Sequence, residues 1–385
     1  MKNLIGVKLT KKIRVLQIYR TYFPETQGGG EEAIRQMCLA TQSYQVENTI
    51  FALAKQPLPN EMQLPEGRLV RSKSWLELAS CNIGGLDALK RCQAEAANCD
   101  IIQIHYPWPF ADFLLSLIRT NNKPIVVTYV SDVVRQKGLN TLYSPLRNYL
   151  LGSAHRIVAS SPNYVKSSEV LQNFQNKINY IPHCLEDNTP PSTDLINKWK
   201  SRFGENFFLF VGVLRYYKGL DFLLDAATLI DENIVILGDG PEGSKLRQEA
   251  AKRGLKNVHF IGALDDSNKN ALLSLCKSIV FPSHLRSEAF GITLLEGARA
   301  AKPLICCEIG TGTTWINKND ETGLVVPPRD GAALAQAMTR LANDQNLCSR
   351  LGLGARLRWT SNFSPQVVGK AYRNLYDNVL SEVNQ

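Results

Sequence analysis

The chain has 385 residues, 44% of them hydrophobic and 21% charged, with 44 Lys plus Arg against 35 Asp plus Glu for a formal charge of +9. This is ordinary globular composition with apolar material for two cores, and it excludes disordered and fibrous classes. The positive balance favours anionic partners: nucleic acid, phosphorylated small molecules or an acidic membrane surface. Short β-branched runs alternate with helical patterns almost from the start, which predicts βα units and parallel sheets. Strands are expected at 13–19, 49–53, 101–105, 125–129, 156–159 and 178–181. At 186–193 the text turns to EDNTPPST, whose proline pair can continue neither a helix nor a central strand, and marks an interdomain linker. The pattern restarts with strands at 207–211, 234–237, 258–261, 279–281 and 304–307, and is helical after Pro328. The expected fold class is α/β, with two Rossmann-like, doubly wound parallel-sheet domains.

No apolar run approaches the roughly 18 residues of a membrane-spanning helix, and the start has no secretory pattern. The nine cysteines form no CxxC pair, and the five histidines form no HExxH. A reduced, cytoplasmic protein without bound metal is expected, with Cys276, Cys306 and Cys307 acting as small buried hydrophobes.

Open sheets of this kind bind ligands at the carboxyl ends of their strands, so residues just after strands carry the functional reading. Gly28, Gly29 and Gly30 follow the first strand and precede a helix, where glycine lets a ligand approach and the helix offers free N–H groups. The same pattern also suits a flexible surface loop. His105 ends a buried strand ahead of Pro107-Trp108-Pro109, and can exchange hydrogen bonds with a bound hydroxyl or serve as a satisfied core group. Gly212 opens GVLRYYKG, whose Arg215 and Lys218 suit a pyrophosphate that gains charge as a bond to it breaks.

Gly238-Asp239-Gly240-Pro241-Glu242-Gly243 spells GxGxxG between a strand and a helix, with Asp265 near the position of a ribose-binding acid. This is the basis of an NAD-dependent oxidoreductase reading, although Pro241 and Glu242 crowd the turn. In EAFGITLLE, Glu288 and Glu296 are eight apart and would not share one helical face. A helix starting near Ile292 leaves Glu288 in the loop. One carboxylate then reaches sugar hydroxyls, the other accepts from a ribose, and the first-turn N–H groups face phosphate.

These residues resemble family 4 of the retaining glycosyltransferases, whose two-Rossmann-domain fold is called GT-B. The match covers nearly the whole chain. It is strongest over PSHLRSEAFGITLLEGARAAKPLI at 282–305, followed by GTGT at 310–313 and TGLVVPP at 322–328. The resemblance implies an acceptor domain at 1–188, a nucleotide-sugar donor domain at 189–363, and a terminal helix at 364–385 crossing back to the first domain. It assigns Glu288 and His105 to the donor sugar, Glu296 to the ribose and Lys218 to the diphosphate. Phe290, Gly291, Ile292 and Thr293 offer backbone contacts, Gly29 and Gly30 form the loop above the sugar, and Gly238 begins the family's GDGP turn. Val213 stands where many members carry arginine, with Arg215 two positions on, and Val130 replaces a common histidine.

The implied chemistry is hexose transfer with retention, without cofactor or metal, and the chain has no DxD pair. The motif context is similar to bacterial O-antigen and exopolysaccharide mannosyltransferases using GDP-mannose; UDP-sugars are the alternative within the fold. Expected partners are a nucleotide sugar and a glycan or lipid-linked oligosaccharide acceptor. Arg68, Arg71, Lys73 and Trp75, with Lys2, Lys8, Lys11 and Lys12, suggest peripheral contact with an anionic membrane surface, and equally suit a solvated charged loop. Basic residues are too dispersed for nucleic-acid recognition. Val213 and Val130 also admit a non-catalytic sugar-nucleotide-binding protein.

Overall fold

The computed structural model describes residues 11–78, 81–132, 137–187 and 189–383. Contacts divide the chain into two units: Met1–Ala159 with Asn173–Cys184 and Pro365–Gln385, and Ser160–Gln172 with Leu185–Ser364.

The first unit contains strands β1 (Ile13–Ile18), β2 (Val46–Ala54), β3 (Glu61–Leu64), β4 (Gly67–Leu78), β5 (Cys81–Gly84), β6 (Ile101–Tyr106), β7 (Ile125–Tyr129), β8 (Arg156–Ala159) and β9 (Ile178–Tyr180). They form one sheet in the order β3-β4-β2-β1-β6-β7-β8-β9, with β5 paired to β4. β6 and β7 are buried along their full lengths, as strands covered by helices on both faces must be. The edge differs from the all-parallel expectation, because β3–β4 and β4–β5 pair antiparallel. Arg68, Arg71, Lys73 and Trp75 therefore lie in a strand rather than a loop. Arg71 is 4% exposed and paired with Glu25 at 3.2 Å, and Arg68 pairs with Glu61 and Glu95. Two of the four residues of this cluster are thus neutralised within the unit, and Lys2 and Lys8, expected to join them at a membrane, lie outside the described residues.

The second unit contains β10 (Phe208–Val211), β11 (Ile234–Leu237), β12 (Val258–Gly262), β13 (Ser278–Phe281), β14 (Leu304–Cys307) and β15 (Gly323–Val326). All pairs are parallel, in the order β12-β11-β10-β13-β14-β15. Alternate residues enter separate cores. Leu209, Val211, Val235, Leu237, Ile279 and Phe281 pack on one side, while Phe208, Phe210, Ile234, Ile236 and Val280 pack on the other.

Two segments depart from chain order. In the helix Pro365–Val383, Val368, Tyr372, Leu375, Tyr376 and Val379 recur at helical spacing and join the core built on Ile13, Val15, Ile34 and Met37. A side chain at Gly369 would run into the Ala40 carbonyl, so the absence of one lets this helix lie close against Gly29–Gln42. The segment at 160–172, assigned to the first domain by the linear reading, instead packs with the second unit. Asn163 Nδ2 donates to Thr314 Oγ1 at 3.0 Å, Ser167 bonds the Gly310 carbonyl, and the Arg286 guanidinium lies 5.0 Å from the Tyr164 ring centroid.

Eight of the nine cysteines are buried free thiols and Cys81 is half-buried. Cys276, Cys306 and Cys307 are at most 4% exposed, and burial raises the pKa of each thiol. No described helix is long and apolar enough to cross a membrane.

Candidate active site

In the second sheet, the connections run in opposite directions from the boundary between β10 and β13, which makes the carboxyl ends of these strands a topological switch point. β10 runs into Gly212, whose N–H donates to the Leu237 carbonyl at 3.0 Å. Gly212 has φ 150° and Gly238 has φ 137°; a side chain on Gly238 would strike the Gly212 carbonyl, so the two strand-end loops lie back to back. One turn of 3₁₀ helix, Tyr216–Lys218, then directs Lys218 across the end of β13.

The Lys218 ammonium lies 2.5 Å from Glu288 Oε2 and 4.7 Å from the Phe281 ring centroid. Ser283 Oγ donates to the same Glu288 oxygen at 3.2 Å. The Lys218 and Glu288 side chains are 11% and 12% exposed, more enclosed than a cleft surface would leave them. Their low exposure raises the electrostatic value of each charge and the cost of removing either partner.

The helix Ile292–Arg299 begins where the sequence requires, leaving Glu288 in the loop, with Gly291 left-handed at φ 99° as its N-cap. Thr293 Oγ1 donates to the Val211 carbonyl at 3.1 Å, which brings this N-terminus to the end of β10. The backbone N–H groups of Ile292 and Thr293 precede any intrahelical acceptor and suit a phosphate oxygen. Phe290 is 4% exposed and packs on Gly312 and Phe363, so its side chain supports the loop.

Further along the same helix, Glu296 is 8% exposed and its Oε1 pairs with Lys269 at 2.6 Å. Lys269 also meets Asp266 at 2.7 Å. Burial pulls its pKa down, but the two carboxylates outweigh this and raise it above the ordinary lysine value. Arg215 is exposed and makes no ion pair among the described residues.

The oxidoreductase reading loses its two supports. A side chain on Gly240 would lie 2.6 Å from the Leu214 backbone nitrogen, so the space a dinucleotide glycine leaves for pyrophosphate is filled by protein. Asp265 caps the helix Asp266–Leu275, accepting from the Asn268 N–H at 2.8 Å and side-chain amide at 2.9 Å.

The first unit has its own switch point, between β1 and β6. Gly29 and Gly30 form the first turn of Gly29–Gln42, and a side chain on Gly30 would collide with the Tyr19 hydroxyl. Glu31 is 4% exposed and folds back so that its carboxylate lies 2.9 Å from where a Gly28 side chain would be. This helix start, expected to receive an anion, therefore already carries one. His105 is 2% exposed, and its Nε2 lies 2.9 Å from Gln17 Oε1. Burial, followed by the neighbouring His183, pushes its pKa down to about 3 and keeps the ring neutral. Ser283, Lys269 and Gln17 are partners that the sequence reading did not single out.

Two family models match the chain: Glycosyltransferase Family 4 over residues 27–188 and Glycosyl transferases group 1 over residues 192–358. The solved structures share the architecture and define the class as GT-B. Sucrose-phosphate synthase from Thermosynechococcus elongatus superposes with a TM-score of 0.78 at 20% identity, covering 96% of this chain and 100% of that one. Anabaena HepE in complex with UDP gives 0.76 at 16% identity with the same coverages. Among sequence relatives, O-antigen chain mannosyltransferase C of Escherichia coli is 44% identical over 96% of this chain and 99% of its own length. D-rhamnosyltransferase WbpZ of Pseudomonas aeruginosa is 46% identical, over 91% and 92% respectively. The chain belongs to the family 4 glycosyltransferases.

Proposed function

We propose that this protein transfers mannose from GDP-mannose to a glycan or lipid-linked oligosaccharide, with retention and without bound metal, in O-antigen or related surface-polysaccharide synthesis. The observation that carries the reading is the enclosed Lys218–Glu288–Ser283 cluster at the β10–β13 switch point, where a cation and a carboxylate meet a helix N-terminus. The near full-length likeness to an O-antigen mannosyltransferase supports the sugar and setting.

Lys218 and the N–H groups of Ile292 and Thr293 stabilise the departing diphosphate, Glu288 accepts from sugar hydroxyls, and Glu296, held by Lys269, accepts from the ribose. Arg215 adds charge from the neighbouring turn, and His105 orients a sugar hydroxyl. The bond from the anomeric carbon to the diphosphate oxygen breaks, and one to the acceptor oxygen forms on the same face. The acceptor proton passes to the departing phosphate oxygen.

A second reading, D-rhamnosyl transfer, is favoured by the likeness to a D-rhamnosyltransferase. Thermal-shift titration with GDP, UDP, GDP-mannose, GDP-D-rhamnose, several UDP-sugars and NAD separates the readings, because a ligand of the folded state raises Tm. Turnover of GDP-mannose unaffected by a chelator is the expected result. A shift confined to UDP compounds overturns the donor, and a shift with NAD alone overturns the reaction.

A further inference from the structure

The polar side chains beneath His105 form a ladder with only one consistent direction. Its fixed end is a backbone carbonyl, that of Cys38 in the helix Gly29–Gln42, which can only accept. Thr41 Oγ1 donates to it at 3.0 Å, and Asn48 Nδ2 donates to that carbonyl at 3.4 Å and to Thr41 Oγ1 at 3.1 Å. Turning the Asn48 amide over would set its oxygen against the carbonyl, so Oδ1 must face Gln17. Gln17 therefore presents its Nε2 to Asn48 Oδ1, at 3.0 Å, which leaves Gln17 Oε1 opposite His105 Nε2 at 2.9 Å. A carbonyl oxygen cannot donate, so the proton in this last contact belongs to the histidine.

We propose that Thr41, Asn48 and Gln17 are positioning residues that hold His105 in its Nε2–H tautomer, so that Nδ1 is presented solely as an acceptor for a sugar hydroxyl. The inference deepens the reading of His105 as a sugar contact and rests on it. Each rung lacks water to exchange with, since Gln17 and Thr41 are 0% exposed, Asn48 1% and His105 2%. Burial also keeps the ring neutral, as Nδ1 must be in order to accept. Among the described residues Nδ1 has no hydrogen-bond partner, while Tyr19 stands edge-on to the ring with centroids 6.0 Å apart. The specificity this imposes is chemical. The group facing Nδ1 must donate, so a nucleotide sugar with hydrogen or a carboxylate there is discriminated against.

The test uses the full-length protein labelled with ¹⁵N-histidine, with the His105 resonances assigned by their loss in His105→Gln. The expected spectrum has a protonated Nε2 and an unprotonated Nδ1 throughout about pH 5.5 to 8. A protonated Nδ1 overturns the proposal, and this measurement needs no variant of the ladder. Gln17→Met, similar in size but offering only a weakly accepting thioether, is expected to mix the tautomers and to lower kcat/KM for GDP-mannose about tenfold. Its thermal shift with GDP alone should stay unchanged. A single Nε2–H tautomer with wild-type turnover in Gln17→Met overturns the positioning role. An Nε2–H spectrum in the wild type, combined with full turnover by His105→Gln, overturns the sugar contact and leaves the ladder standing.

Discussion

The two units place their functional residues at the same point of similar sheets and fill it with opposite chemistry. At the β10–β13 switch point the second unit holds an ammonium and a carboxylate 2.5 Å apart, beside helical N–H groups. At the β1–β6 switch point the first unit holds a neutral imidazole backed by two amides and a hydroxyl, and its helix start is already met by Glu31. One arrangement suits a ligand that carries and gains negative charge; the other suits uncharged hydroxyls. Topology chooses where a ligand binds in such sheets, and side-chain charge chooses what it is.

The largest expected effect breaks the charged half of this comparison. Lys218→Ala and Glu288→Ala should each lower turnover by about 10²-fold or more. Each also leaves a nearly enclosed charge alone, at a cost of about 3–5 kcal/mol. The Lys218→Met/Glu288→Gln pair should recover Tm relative to either single charge loss without recovering activity. Normal turnover in either single variant removes the pair from the mechanism.

A smaller effect is expected at the ribose carboxylate. Glu296→Ala and Lys269→Met should each weaken GDP binding about tenfold by calorimetry, with kcat at saturating donor little changed. Equal affinity in the Lys269 variant would mean that Glu296 holds its geometry unaided. Gly240→Ala should cost about 1–3 kcal/mol in thermal denaturation, because its Cβ would press on the Leu214 backbone. Gly152→Ala, whose new methyl meets nothing within 4 Å beyond its chain neighbours and its own helical backbone, should be neutral or stabilising by up to about 1 kcal/mol.

The smallest effect concerns pH and belongs to the first unit. Burial holds the His105 pKa down to about 3 and the His183 pKa down to about 4, whereas an unfolded histidine titrates near 6.5. The unfolded chain takes up protons first, so these groups withdraw stability as pH falls below about 6.5. Asp112, pushed up to about 7 by burial, acts in the opposite sense and withdraws stability as pH rises from about 4 to 7. Comparing Tm at pH 5 and 7, His183→Gln should shrink the loss on acidification and Asp112→Asn should enlarge it. Unchanged pH slopes would contradict burial of these groups.

The legible parts of the fold were those where burial on both faces leaves an apolar run. β7, β8, β11 and β14 have the boundaries expected from sequence. β3, β4 and β5 escaped because an edge hairpin keeps polar alternation, and RLVRSKSW reads as a charged loop until its neighbours are known. β15 was hidden in the TGLVVPP motif, a four-residue strand between turn signals. In the site, Lys218, Glu288 and Glu296 were marked by their positions after strands, and His105 by its place at the end of one. Their partners Ser283, Lys269 and Gln17 were not, because pairing across a sheet or between helices follows from packing and leaves no spacing in the text. Gln17 alone left a trace, as a polar residue in the apolar strand IRVLQI.

The placement of the helix Pro365–Val383 sets an order for biosynthesis. Its Val368, Tyr372 and Tyr376 complete the core of the first unit, yet they leave the ribosome after every residue of the second. The second unit has its entire sequence in hand while the first still lacks one wall. A nascent chain should therefore mature in reverse, with the unit translated first closing last, and a chaperone guarding its open sheet would need to remain bound until that helix emerges.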